Sequence, residues 1–173
     1  GDGLPAEQGV FNSMHNLAWA SNKVLYISDT HNNLVRKISG KNKRLSTLAG
    51  IPNQSGFSGD GGLAEKAKLN TPISISLTPD EKTLLIADIR NRRICAVDIG
   101  TGVIRTLAGN GKKGKPIDGK LTLDQPLINP RAAIMDEAGN LFILERSSNA
   151  LRVVHPDGKI YTLAGTGKKG QRD

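Results

Sequence analysis

A single cysteine, Cys95, stands in a chain of 173 residues, so no disulfide can close within it. That suits a reducing compartment without establishing one, because many secreted proteins also lack disulfides; the localisation stays open. Aromatic residues are scarce too, with three Phe, two Tyr and one Trp, which leaves aliphatic side chains to build the core. No apolar run approaches the roughly eighteen residues of a membrane helix. The longest, such as Leu84-Leu85-Ile86-Ala87, are strand-sized, and no membrane insertion is expected. A Gly-x-Ser-x-Gly elbow and a Cys-x-x-Cys pair are both missing, which removes two signatures of nucleophilic and thiol chemistry. The chain also opens at Gly1 without Met, a basic stretch or an apolar signal segment, and it reads as a piece of a longer protein.

What is present is turn-rich. Twenty Gly and eight Pro are spread along the whole length, which favours frequent turns over long helices. The net charge of +8 favours acidic partners, with simple solubility as the plainer reading.

Three segments align without gaps: Leu25 to Ile38, Leu84 to Val97 and Leu141 to Val154. A Thr-Leu-Ala-Gly tetrad follows each, at 47–50, 106–109 and 162–165. An acidic residue recurs at Asp29, Asp88 and Glu145. The connectors repeat as well, with Asp-Gly at 2–3, 60–61 and 118–119, so the repeats run approximately over 2–59, 60–117 and 118–173. Within each, short apolar stretches alternate with turn signals such as Thr78-Pro79-Asp80-Glu81 and His155-Pro156-Asp157-Gly158. Four strands fit per repeat, in the middle one near 73–78, 82–88, 93–98 and 103–108. Four short antiparallel strands at a fixed period mark the blades of an all-β propeller.

These repeats resemble the NHL family, whose motif places an Asp after a strand, then an Asn-bearing turn and an Arg-Ile pair. Asp88-Ile89-Arg90-Asn91-Arg92-Arg93-Ile94 matches it best, Asp29 to Val35 nearly as well, and the third copy departs with Glu145 and Ser148. The resemblance covers the whole chain and implies a six-bladed propeller, related to the SMP-30 and gluconolactonase propellers. Three blades are half of such a ring, and closure is what removes exposed strand edges. The ring is then completed by further blades of a longer chain, the favoured reading, or by two copies pairing as a homodimer.

Strand direction sorts the loops. The turn between the second and third strands of a blade lies at the same end as the connector to the next blade. That end therefore collects Arg90, Arg92, Arg93, Lys112, Lys113, Lys168 and Lys169 as candidate binding residues, together with His31, Lys115 and Arg172. A Gly-Lys-Lys-Gly pattern at 111–114 and 167–170 suits an anionic partner. A solvated loop face is the plainer alternative. The family resemblance implies a nucleic-acid alternative, single-stranded RNA on the basic face, but the same end carries Asp60, Glu65, Asp118 and Asp124, and Phe57 is the one aromatic placed there to stack a base.

The recurrent acid is read as structural: it ends a strand before a turn and accepts hydrogen bonds from turn amides, while Asn32 and Asn91 tolerate the turn's unusual backbone. One equivalent acid per blade does not make the converging unlike groups that catalysis requires. His15 and His31 fall at the connector end and His155 at the other, so they form no joint metal site. Cys95 is read as a small buried residue. The SMP-30-like resemblance implies an alternative as half of a metal-dependent lactonase, with a divalent cation in the channel. Asn16, Asn70 and Asn129 lie nearest the starts of the inner strands, and three amides make a weak cation site. The resulting expectation is a propeller module for protein or small-molecule recognition through its loop-bearing face, with no catalytic residue and no cofactor.

Overall fold

The computed structural model describes residues 1–170; Arg172 and Asp173 lie outside the described residues. Among the described residues, thirteen strands form three antiparallel sheets. The first sheet holds β1 (Met14–Trp19), β2 (Leu25–Asp29), β3 (Leu34–Ile38) and β4 (Leu45–Ala49), in that order. The second holds β5 (Pro72–Leu77), β6 (Thr83–Asp88), β7 (Arg93–Asp98) and β8 (Ile104–Ala108). The third holds β9 (Lys120–Leu121), β10 (Pro130–Met135), β11 (Leu141–Glu145), β12 (Ala150–Val154) and β13 (Lys159–Ala164), in the order β10-β11-β12-β13-β9. Four consecutive strands of each sheet form a meander, as two-residue periodicity and short turns dictate, and β9 joins the third sheet at its outer edge. The strands of the middle repeat start and end within one residue of the sequence expectation.

The fold is all-β and its sheets are propeller blades stacked face to face. Blade 2 lies in the middle. Ile75, Leu84, Ile86, Cys95, Val97 and Ile104 face blade 1 and meet Ala20, Tyr26, Val35 and Leu48 there. Ile73, Leu85, Ala87, Ile94, Ala96 and Ala108 turn the other way and meet Leu127, Ala133, Leu141, Ile143, Val154 and Ile160 of blade 3. The alternation of strand side chains thus feeds two cores, and β6 and β7 read as nearly continuous apolar runs because both their faces are buried.

The four-strand expectation misses one element. The Asp-Gly connector does not simply cross from blade to blade. It runs along the outer strand of the blade that follows it. Gly61 N donates to Ile104 O at 2.7 Å and Ile104 N to Gly62 O at 2.9 Å. Gly3 N and Gly119 N reach Leu45 O and Ile160 O in the same way, both at 2.8 Å. In blade 3 this strap is regular enough to form β9. Each outer edge is therefore paired, which blunts the aggregation hazard of a free strand edge.

Candidate functional site

The connector end is built by three equivalent turns. Asp29, Asp88 and Glu145 close β2, β6 and β11, and all three are fully buried. Each carboxylate accepts from a backbone amide just ahead of the inner strand: Asn12 N on Asp29 and Asn70 N on Asp88, both at 2.7 Å, and Ile128 N on Glu145. The other oxygen accepts from the side chain three residues on: Asn32 at 2.9 Å, Asn91 at 2.6 Å and Ser148 at 2.8 Å. The acid staples the connector to the turn. The partner amide is thus supplied by the connector and not by the turn itself, and Asn32 and Asn91 serve as side-chain donors. The left-handed backbone falls one residue later, at Asn33, Arg92 and Asn149 (φ 57°, 52° and 46°).

The tetrads lock the same end. Gly50, Gly109 and Gly165 have φ of 99°, 90° and 88°. A Cβ on them would stand 2.3, 2.3 and 2.1 Å from the carbonyl oxygens of Asn33, Arg92 and Asn149, so only glycine fits. The tetrad threonines hold the straps: Thr47 N donates to Asp2 Oδ2 at 2.9 Å, Thr106 Oγ1 to Asp60 at 3.1 Å and Thr162 N to Asp118 at 3.0 Å.

One column of the repeat differs in a way that matters electrostatically. Arg36 and Arg152 stand at equivalent places, nearly buried. Arg152 Nε meets Glu145 at 2.8 Å, and Arg36 meets Asp2 at 2.5 Å and Asp29 at 3.9 Å. Blade 2 has Cys95 there instead. Burial then pushes the Asp88 carboxyl up to about 7, against the amide donors Asn70 and Asn91 and the charge of Arg93. Burial likewise raises the Cys95 thiol, which leaves it a poor nucleophile. Lining up the repeats reveals this column as Arg, Cys, Arg; the acid motif alone does not.

The basic candidates divide. Arg90, Lys112, Lys113, Lys168 and Lys169 are exposed. Arg92 and Arg93 are half-buried and fasten the following connector: Arg92 donates to Gly111 O at 3.3 Å and Arg93 to Gly109 O at 2.7 Å. The Arg93 guanidinium also lies 3.9 Å from the centre of the Phe57 ring, which covers one ring face. Lys168 and Lys169 line a cavity with Asn149, Gly165 and Thr166. His15 and His31 stand 6.3 Å apart at this end, and His155 hydrogen-bonds Asn140 at the other. Among the described residues no three His, Cys, Asp or Glu side chains come together to hold a metal. The Asn16 side-chain oxygen accepts from Ile75 N at 3.0 Å, so it serves the joint between blades 1 and 2. A groove of about 390 Å³ lies in the seam between blades 2 and 3, lined by Leu107, Leu121, Leu123, Met135, Pro156 and others.

No family model matches the chain. It is similar to SUPPRESSOR OF QUENCHING 1 of Arabidopsis thaliana, at 31% identity over 106 residues, covering 61% of this chain and 10% of that protein. NHL repeat-containing protein 2 of Gallus gallus matches at 28% identity over 188 residues, covering 96% of this chain and 25% of that one. The chain spans a quarter or less of the curated relatives it matches. Among solved structures, a gluconolactonase of Xanthomonas campestris superposes with a TM-score of 0.58 at 14% identity, covering 89% of this chain and 48% of that one. At that identity the likeness concerns the fold.

Proposed function

For a chain that belongs to the NHL-repeat β-propellers, we propose a recognition module that binds an acidic protein surface or an anionic small molecule through its connector end, without chemistry of its own. The observation that carries this reading is the division of labour among charges. The acids of the three turns are buried and saturated by staples, whereas Arg90, Lys112, Lys113, Lys168 and Lys169 stand exposed at the same end. These cations share the connectors with the exposed carboxylates Asp60, Glu65, Asp118 and Asp124, and the surplus of positive charge on the loops steers and orients an anionic partner. Arg92 and Arg93 act here as fasteners that hold the Gly-Lys-Lys-Gly loop in place.

The test is binding of a polyglutamate peptide and of a single-stranded RNA oligomer to the immobilised chain at low and raised salt. The variant Lys112→Ala/Lys113→Ala/Lys168→Ala/Lys169→Ala serves as control. Polyglutamate binding that falls with salt and is lost in the variant supports the reading. RNA binding with no peptide binding replaces it by the nucleic-acid reading, and binding of neither probe refutes it.

A further inference from the structure

The two seams between blades are built from equivalent positions, and they differ at the end opposite the connectors. In the seam between blades 1 and 2, Tyr26 is 2% exposed and belongs to the core that also takes in Leu77 and Ile99 of blade 2. Burial and the charge of Glu81 raise its hydroxyl above the ordinary range, so the phenol and that carboxylate share one corner of the seam. Glu81 also reaches across to blade 1, where it accepts from Ser21 N at 2.9 Å and from Ser21 Oγ at 2.6 Å. Between blades 2 and 3 the same places hold smaller or less polar residues. Leu85 stands for Tyr26, Pro79 for Ser21 and Gly139 for Glu81, and Gly139 keeps the positive φ of Glu81 (83° against 56°). The ring and the clasp are both gone from this seam.

A groove opens there. Leu85 packs with Leu107, Met135, Leu141 and Val154, and those four also line the groove of about 390 Å³ in this seam. A second cavity of about 450 Å³ adjoins it at Met135 and Gly139 and is bordered by Pro79, Asp80, Asp136 and Glu137. The site is thus apolar along its walls and acidic at its mouth. Hydrogen bonds from Thr78 to Asp80 and from Asn140 to Asp136 hold both carboxyls below their ordinary range, so both are ionised at neutral pH, and Glu137 is exposed beside them. Lys82 lies near Asp80, and three carboxylates against one ammonium leave the mouth negative. One polar group inside has no partner. Thr122 lines the groove and is 3% exposed, and its Oγ1 makes no hydrogen bond among the described residues. The other two straps carry Ala6 and Ala64 at this position, so the hydroxyl is particular to this seam. An unpaired buried hydroxyl is costly, and a ligand that bonds it removes that cost.

We infer that the groove between blades 2 and 3 binds a small aromatic amine that carries a ring hydroxyl. The ring takes the place that the Tyr26 ring holds in the other seam, the hydroxyl bonds Thr122 Oγ1, and the ammonium lies at the carboxylates of Asp80, Asp136 and Glu137. Each part of the ligand answers a feature of the site. An apolar cleft with a few convergent polar groups is the usual form of a small-molecule site. A ring buries a large apolar area in a narrow slot, and a charge-assisted contact at one end fixes its direction. The equivalent seam of this same chain already accommodates a phenol next to a charged group, in the form of Tyr26 and Glu81. All the lining residues fall between Pro79 and Gly158, within two blades that pack on each other. The inference rests on this groove and not on the recognition role of the connector end, which lies at the other end of the blades.

The probe is tyramine, titrated by calorimetry into the chain of 173 residues. Beside it run 4-ethylphenol, phenethylamine and 4-hydroxyphenylacetate, which in turn lack the ammonium, lack the hydroxyl and reverse the charge. Tyramine is expected to bind with a Kd of about 1 mM or lower. Loss of the ammonium or of the hydroxyl weakens binding about tenfold, and the acid gives no binding heat. Thr122→Ala copies the strap of blade 2 and is expected to make tyramine and phenethylamine bind alike. Leu85→Tyr copies blade 1 and is expected to abolish binding; if circular dichroism shows that it does not fold, Thr122→Ala decides alone. The Lys112→Ala/Lys113→Ala/Lys168→Ala/Lys169→Ala variant keeps full tyramine binding, which separates this site from the connector end. No saturable binding at millimolar tyramine overturns the inference. Binding that ignores Thr122→Ala, or that does not distinguish tyramine from 4-hydroxyphenylacetate, overturns it as well.

Discussion

Replacing Asp88 by Asn is expected to remove a loss of stability that the wild type suffers as pH rises from about 5 to 8. In the folded chain the Asp88 carboxyl is raised from its ordinary 3.8 to about 7 by burial, the donors Asn70 and Asn91 opposing that rise. The folded state therefore holds a proton that the unfolded state has already released. The stability this contributes is complete below about pH 4 and is lost as pH rises through 7, after which the dependence flattens. A tenfold difference in proton affinity between the folded and unfolded chain is worth about 1.36 kcal/mol, so the part lost between pH 5 and 8 is about 2–3 kcal/mol. Asn keeps an acceptor for Asn70 N but sets its amide group against the Asn91 amide group, so the variant starts about 1 kcal/mol less stable at low pH. The assay is urea unfolding at pH 5, 6, 7 and 8, read as the difference between wild type and variant. The surface carboxyls of Asp80, Asp98, Asp136 and Asp157 are held below their ordinary values by hydrogen bonds within their own turns, and that of Glu81 by Ser21 of blade 1. They act in the opposite sense at lower pH and cancel in this difference. Parallel curves for the two proteins would refute the reasoning, since they would mean that Asp88 keeps its charge in the core.

Arg152→Met leaves the buried Glu145 without its cation and is expected to cost about 3–5 kcal/mol, seen as a lower urea midpoint with an unchanged slope; a change under about 1 kcal/mol refutes a structural role for the pair. Gly109→Ala combines a φ of 90° with a Cβ 2.3 Å from the Arg92 carbonyl oxygen, and a loss of about 1–3 kcal/mol is expected. Gly61→Ala, at a strap position with φ 83° and open space around it, should cost less, and equal losses would show that crowding plays no part. The Cys95 thiol is expected to react with a disulfide reagent only as fast as the chain opens, because it is buried and its ionisation is suppressed. Fast labelling under native conditions would refute that.

The acid motif was visible in the sequence because it recurs, and recurrence also pointed to its structural role. The basic loops were equally visible, yet their fates were not. Arg92 and Lys112 carry the same charge and sit in the same loop cluster, but only the backbone path of the following connector turns Arg92 into a fastener and leaves Lys112 in solvent. Likewise Asn32 invited a reading as the strained residue of its turn, and it is Asn33 that takes the left-handed conformation. A one-residue offset of this kind depends on where the Asn32 side chain finds its acceptor.

By itself, the sequence determined the architecture of this protein. A fixed period, two-residue alternation and turn residues at constant offsets are local properties, and they placed the four strands of the middle blade within a residue. Only the tertiary structure decided what the repeated positions do. It showed that the Asp-Gly connectors strap the outer edges, that the stapled amide comes from a segment 17 or 18 residues away, and that Cys95 leaves Asp88 without a buried cation. Those outcomes depend on which chain segments meet across a seam. Such meetings are set by packing between blades and leave no periodic trace within any one of them.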